Sequence, residues 1–478
     1  MKKSFLFVLT FFLFTECQEE SLDSSDPNRL LSETFYKTAN DATSALNAVY
    51  GSLQTPRLYS WRYYFVTDLI SDEATNGNSC GPECTQNENF TTNAGNRNVS
   101  DVWGGFYAVI FRANLVLDNV RDNFGDQDAY RNAIAQAKFL RAFAYFNLVT
   151  LWGDVPLITT SDVGQNLTSA RAPAVSVYAQ IIKDYREAIA DLPATYPADQ
   201  RGRITSWGAK GFLGQALLYT QQYAEAETVF ADVVNNGPFS LVPNYLDNFT
   251  SANENNAESL FEIQYSETFS GQSWCEYCGG EGSFRQRIVG PAGFDNVRPT
   301  DFLVNEFETA DPRKAYTLYL PGISTYDGKP YADAKPNVRK YSNDKPETTV
   351  GISPVNIRVL RFADVLLMYA EVLNENGKGE EARAQINKVR ARVGMPNLPT
   401  GSNQAQLFER IVHERVAELS LEQKRWFDLT RWNRANKIDM AQVLRAHGVN
   451  NFTPGVNELL PIPQKDIDQA GLKQNNGY

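Results

Sequence analysis

The stretch GFLGQALLYTQQYAEAETVFADVVNNGP, residues 211–238, decides how the rest of the chain reads. Leu213, Gly214, Ala226, Phe230 and Pro238 fall at the offsets of a tetratricopeptide repeat. In such a repeat, small residues sit where two helices touch, a large one wedges between them and a proline follows the second helix. Ala370, Leu373, Ala382, Ile386 and Val389 repeat the spacing more loosely. A helical pair of this kind cannot bury its apolar face alone, so it predicts a stack of neighbours.

Working outward, helical periodicity recurs from about Pro27 to the end. Leu46, Val49, Tyr50 and Leu53 mark one run, and others cover 103–120, 133–151, 177–192, 209–234, 360–374 and 408–432. Pro173 precedes the fourth of these runs and Gly237-Pro238 closes the fifth, as start and stop signals do. The prediction is an all-α scaffold. Three long loop-like stretches interrupt it: Asp72 to Asn98, Glu267 to Thr300 and Tyr316 to Pro354. Loops of that length in a compact domain are uncommon and often functional.

The N-terminus reads as an export signal. Lys2 and Lys3 precede the apolar run Phe5 to Phe14, too short to span a bilayer, and Cys17 follows. The reading is a signal peptide over 1–16 and a lipidated Cys17 with a polar tether through 26, although Glu16 stands where a small residue is usual. One domain would then fill 27–478, in an N-terminal part of about 27–240 and a C-terminal part of about 260–478. The net charge of −11 and pI of about 5.0 exclude a basic nucleic-acid footprint.

Trp103-Gly104-Gly105-Phe106-Tyr107, Ala137 to Ala142, Leu151-Trp152-Gly153-Asp154-Val155-Pro156, Leu360 to Leu367, Glu414-Arg415, Arg425-Trp426-Phe427-Asp428-Leu429 and Leu460-Pro461-Ile462-Pro463 occur in this order. The ordered set resembles the SusD/RagB family of surface lipoproteins, partners of SusC-like TonB-dependent transporters. The resemblance implies tetratricopeptide-like pairs on the transporter side and irregular loops on the ligand side. It also implies an outer-membrane anchor facing the exterior, and capture of oligosaccharides for import rather than catalysis. Arg361, Glu371, Arg415 and Trp426 lie among apolar residues, where buried ion pairs and packed rings are the expected role.

Sugar rings pack C–H patches on aromatic faces and need polar side chains for their hydroxyls. Two loops combine these residue types: Asp72, Asn76, Asn78, Phe90 and Asn98 in the first, and Trp274, Tyr277, Phe284, Arg285 and Arg287 in the second. Trp274 leads this set because its Ser, Gln, Cys and Gly neighbours give it no helical face. Arg285 and Arg287 can fork onto an anionic glycan, but pairing with nearby acids is the favoured reading. Tyr59, Trp61, Tyr63 and Phe65 continue into Val66, Leu69 and Ile70 at helical spacing, which favours core packing.

Besides Cys17, the cysteines are Cys80, Cys84, Cys275 and Cys278. Export favours disulfides, either two local bridges or two joining the loops. A four-thiolate zinc site has usable spacing, yet the two pairs stand far apart in sequence. The two histidines, His413 and His447, form no metalloprotease motif, and no serine-hydrolase elbow, phosphate loop or dinucleotide fingerprint occurs. No cofactor or metal is expected. The competing readings are peptide capture by a similar importer and an exported glycan-cleaving enzyme, since 56 acidic residues offer many carboxylate pairs.

Overall fold

The run 209–234 is two helices, broken at Thr220-Gln221-Gln222 where Gln221 takes φ 58°. The computed structural model describes residues 36–77, 80–120, 126–166, 169–266, 282–291, 293–342 and 353–478. The helices used below are α1 (Ala39–Leu53), α2 (Pro82–Glu88), α3 (Arg97–Asn119), α4 (Gln127–Trp152), α5 (Ala174–Asp191), α6 (Ser206–Tyr219) and α7 (Tyr223–Asn236). They continue with α8 (Arg285–Val289), α9 (Asp301–Glu306), α10 (Phe362–Glu375), α11 (Gly379–Arg392), α12 (Gln404–Leu419), α13 (Arg425–Arg434) and α14 (Met440–Ala446). No helix among the described residues is long and apolar enough to cross a membrane.

Each long helix packs on the next: α3 on α4, α4 on α5, α5 on α6, α6 on α7, α7 on α10, and α10 on both α11 and α12. The expected helical pairs are the ones observed. Thr205 caps α6 by accepting the Gly208 N–H at 3.1 Å, satisfying a donor that helix geometry leaves orphaned. Gly214 of α6 faces Phe230 of α7 so closely that a Cβ there would stand 2.5 Å from the ring. Phe230 is wholly buried, a contribution of about 1.5–3 kcal/mol. Ala370, Leu373, Ala382, Ile386 and Val389 are likewise all buried between α10 and α11.

Two of the periodic runs differ from their reading. Leu360 belongs to a strand, β4 (Ile357–Arg361), which pairs antiparallel with β2 (Ser259–Ile263) and runs straight into α10. The run 408–432 breaks at 420–424, with Leu421 and Gln423 at φ 61° and 58°. At the break, carbonyls accept from buried cations. Lys340 Nζ donates to the Glu418 and Ser420 carbonyls (3.1 and 2.9 Å), and Arg361 donates to that of Glu418 at 2.7 Å. Arg361 also contacts Glu258 and Glu422 at 2.8 Å each, so it is a buried structural residue as expected. Arg415 with Asp364 and Asp428, Glu371 with Arg431, and the buried Trp426 ring have the same structural role.

The helical pairs enclose one large apolar core. A second, smaller core carries the irregular segments and contains Tyr64, Phe65, Leu69, Phe284, Ile288, Val289 and Val297. Within the first expected loop, α2 begins with Pro82 at its first turn, where a missing N–H costs nothing.

Candidate functional site

Two loops meet through a short ladder. Strand β1 (Ala74–Thr75) pairs antiparallel with β3 (Arg298–Pro299), which sets the segment after Asp72 beside the segment before Thr300. The approach is close enough that a Cβ at Gly77 would lie 2.0 Å from the Asp295 carbonyl, so only glycine fits there. Cys80 and Cys84 are disulfide-bonded at the start of α2, the local pairing of the two alternatives. Cys275 and Cys278 lie outside the described residues, as do Cys17, Asn78, Trp274 and Tyr277. No cluster of metal-ligating side chains occurs among the described residues.

The second segment is docked by its backbone, with Phe284 N–H donating to the Ser60 carbonyl at 3.2 Å and Ser283 bridging Ser353. Phe284 thereby goes under Trp61, ring centroids 4.7 Å apart. Trp61 stacks on Phe294 at 5.6 Å and 21°, and the Arg287 guanidinium lies over Phe294 at 5.5 Å. Trp61, Phe294 and Arg287 are each half-buried. The aromatic cluster read as core divides accordingly: Tyr59, Tyr63 and Phe65 are buried, whereas Trp61 keeps part of its indole at the surface.

Several residues expected at the ligand face are interior. Asp72 is fully buried and accepts from Arg425 through both oxygens (2.8 and 2.7 Å), with His447 Nδ1 at 2.6 Å. Burial alone would raise its pKa, but Arg425 and His447 hold it well below the ordinary range. Arg285 is 1% exposed; it lies 3.8 Å over the Tyr64 ring and donates to the Leu421 carbonyl at 2.8 Å and to Asp68 at 3.3 Å. Its favoured reading, pairing with an acid, is the one observed.

Asn98 is buried and accepts from Arg62 at 3.1 Å, and Phe284 is buried in the second core. Phe90 stacks on Trp426 (5.9 Å) and meets Phe452 edge-on (5.4 Å), which makes it packing. A side chain whose polar or aromatic surface is spent in this way offers little to a ligand. Asp72, Asn98, Phe284 and Arg285 are therefore interior, and Phe90 is half-buried. Asn76 remains near the surface, its amide donating to Thr85 Oγ1 at 3.3 Å and its N–H to Glu88 at 3.2 Å. Arg287 also remains.

Trp61 and Phe294 are the surface residues that sequence reading missed. No local signal marked Trp61: its neighbour Ser60 is itself buried, and the buried Trp432 also stands between polar residues, Arg431 and Asn433.

The chain has relatives among known proteins. The chain is 28% identical to SusD-like protein P25 of Formosa agariphila over the full length of both. A solved structure described as a laminarin binding SusD-like protein is 30% identical, with TM-score 0.79, covering 93% of this chain and all of that one. The chain belongs to the SusD family. Family models agree: residues 325–478 match the SusD family and residues 20–218 match a model described as starch-binding associating with outer membrane. A SusD superfamily protein from Bacteroides vulgatus shares the fold at TM-score 0.82 and 24% identity, covering 93% of this chain and all of that one. Within the SusD fold, Trp61, Phe294 and Arg287 form a half-buried cluster where the second loop docks.

Proposed function

We propose that this SusD-family protein is a glycan-binding surface lipoprotein. It captures oligosaccharides without cleaving them and passes them to a TonB-dependent transporter of the SusC kind. The observation that carries the reading is the kinship, at 30% identity over 93% of this chain, with a protein described as laminarin binding. The chemistry of the loop face supports it: a half-buried tryptophan packs with a phenylalanine at the surface, and the Arg287 guanidinium lies over that phenylalanine, which joins aromatic surface to a hydrogen-bond donor. The rings are braced from below by Phe284 and by the β1–β3 ladder, so ligand binding would order little that is not already fixed. Lipidation at Cys17 would hold the protein at the outer membrane, where one of the matched family models has its members.

Isothermal titration of residues 18–478 against neutral glucans, sulfated glycans and short peptides tests the reading. Binding to an oligosaccharide is expected to weaken at least about tenfold in Trp61→Ala, the scale of one lost aromatic contact of ~1.4 kcal/mol. Binding to peptides with silence on every glycan would replace glycan capture by peptide capture. Release of shorter sugars from any polysaccharide would make the protein an enzyme instead.

A further inference from the structure

We infer that the cleft between α9, α12 and α14 is a second glycan site, built for a neutral oligosaccharide. This rests on the glycan-binding reading above but not on Trp61, since the cleft shares no residue with the loop face. Its volume is about 680 Å³, within the range of ligand pockets.

The cleft combines the two kinds of surface a sugar needs. Phe302 of α9 and His447, just after α14, stack with centroids 3.7 Å apart and planes 10° apart, and the half-exposed Phe408 of α12 also lines the cleft. Glu409 and Gln442 are exposed on the rim, from α12 and α14. Both histidines of the chain line this one cleft, and each is held by a carboxylate. His447 Nδ1 lies 2.6 Å from Asp72, and His413 Nδ1 lies 2.8 Å from Glu306. Rings fixed in this way lose little freedom when a ligand packs on them.

Charge narrows the ligand class. The carboxylates of Glu306, Glu375 and Glu409 line the cleft, while of its cations Lys437 is paired with Glu375 at 2.6 Å and Arg425 is spent on Asp72. Glu375 is thereby neutralised and Glu306 is held by His413. A sulfated or uronate chain would find these cations engaged and would meet the exposed carboxylate of Glu409, so the cleft suits an uncharged glycan. The walls are helices and the turn 436–438, with no strand among the lining residues, so an extended peptide finds no strand edge to pair with. A sugar uses side chains alone.

The test is calorimetric titration of residues 18–478 with the hexasaccharides of β-1,3- and α-1,4-linked glucose, and with a sulfated β-1,3 counterpart. Two sites are expected for at least one neutral sugar. Trp61→Ala should leave the cleft site, and Phe408→Ala with Gln442→Ala should weaken that site tenfold or more while leaving the other. Glu409→Lys, an exposed change, should let the sulfated sugar into the cleft, and thermal melts of each variant check that folding is intact. A single site, lost in Trp61→Ala and indifferent to the cleft changes, would overturn this inference and leave the function standing. Silence of the unmodified protein toward every glycan would overturn both. Equal binding of the sulfated sugar to the unaltered cleft would overturn the assignment to neutral glycans.

Discussion

Arg285 and Arg287 stand two positions apart and do opposite work. The first is buried, with its guanidinium over Tyr64 and its bonds to Asp68 and the Leu421 carbonyl. The second is half-exposed at the loop face. Removing one partner of a buried pair strands the other, so Arg285→Ala should lower unfolding stability by about 3–5 kcal/mol at pH 7. Arg287→Ala should cost about 1 kcal/mol or less. Urea midpoints of the two variants compare them directly, and equal losses would refute the division. Sequence could not make it. The residues that decide burial, Asp68 and Leu421, lie far from Arg285 in the chain, as Arg425 lies 353 positions from Asp72. A local window registers an arginine or an aspartate among glycines and asparagines and reads a surface.

Helix pairs were the legible level, because their signal repeats within 40 residues and small-to-large packing leaves a direct mark in the residue types. Gly214 against Phe230 is the sharpest instance. Two effects compete when a methyl is added there. Alanine is the better helix former by about 1 kcal/mol. Against that, its Cβ would lie 2.5 Å from a buried ring that cannot retreat through a packed core. Overpacking of this kind costs about 1–3 kcal/mol, so Gly214→Ala should lower the melting temperature rather than raise it. A rise would mean that α6 and α7 have slack. What stayed illegible at this level was interruption: an apolar rhythm from 408 to 432 carries no sign that buried cations elsewhere claim the carbonyls at 418, 420 and 421.

Across the whole molecule, buried ion pairs tie the helical scaffold to the loop-bearing side, and they make stability depend on pH from two directions. Burial would raise Asp364, but Lys424 at 3.1 Å and Arg415 at 2.9 Å hold it at about 2, and Glu418 is held low by Arg392, Arg361 and Arg313. A depressed carboxyl stabilises the fold above its unfolded pKa, so stability should fall as pH drops from about 4 toward about 2. Glu73 works in the opposite sense. Burial pushes it from its ordinary 4.5 up to about 8, so the fold keeps a proton that the unfolded chain has lost. Its contribution should decline as pH rises through that interval, by at most about 1.4 kcal/mol per pH unit. Denaturant midpoints from about pH 2 to about pH 9 should show both limbs, with Glu73→Gln flattening the upper one and Asp364→Asn shortening the lower. An upper limb unchanged in Glu73→Gln would refute that assignment.

The same long-range pairing has a consequence for how the protein is made. Asp72 waits for Arg425, Trp152 Nε1 donates to the Pro461 carbonyl, and Asn475 donates to the carbonyls of Trp152 and Leu460. A ribosome delivers these partners in order, so the carboxylate at 72 has no counter-charge until residue 425 of 478 has appeared. A chain released early is not a shorter working version. It is a molecule with its interior charges in water and its seams open, the form that proteases and chaperones recognise first.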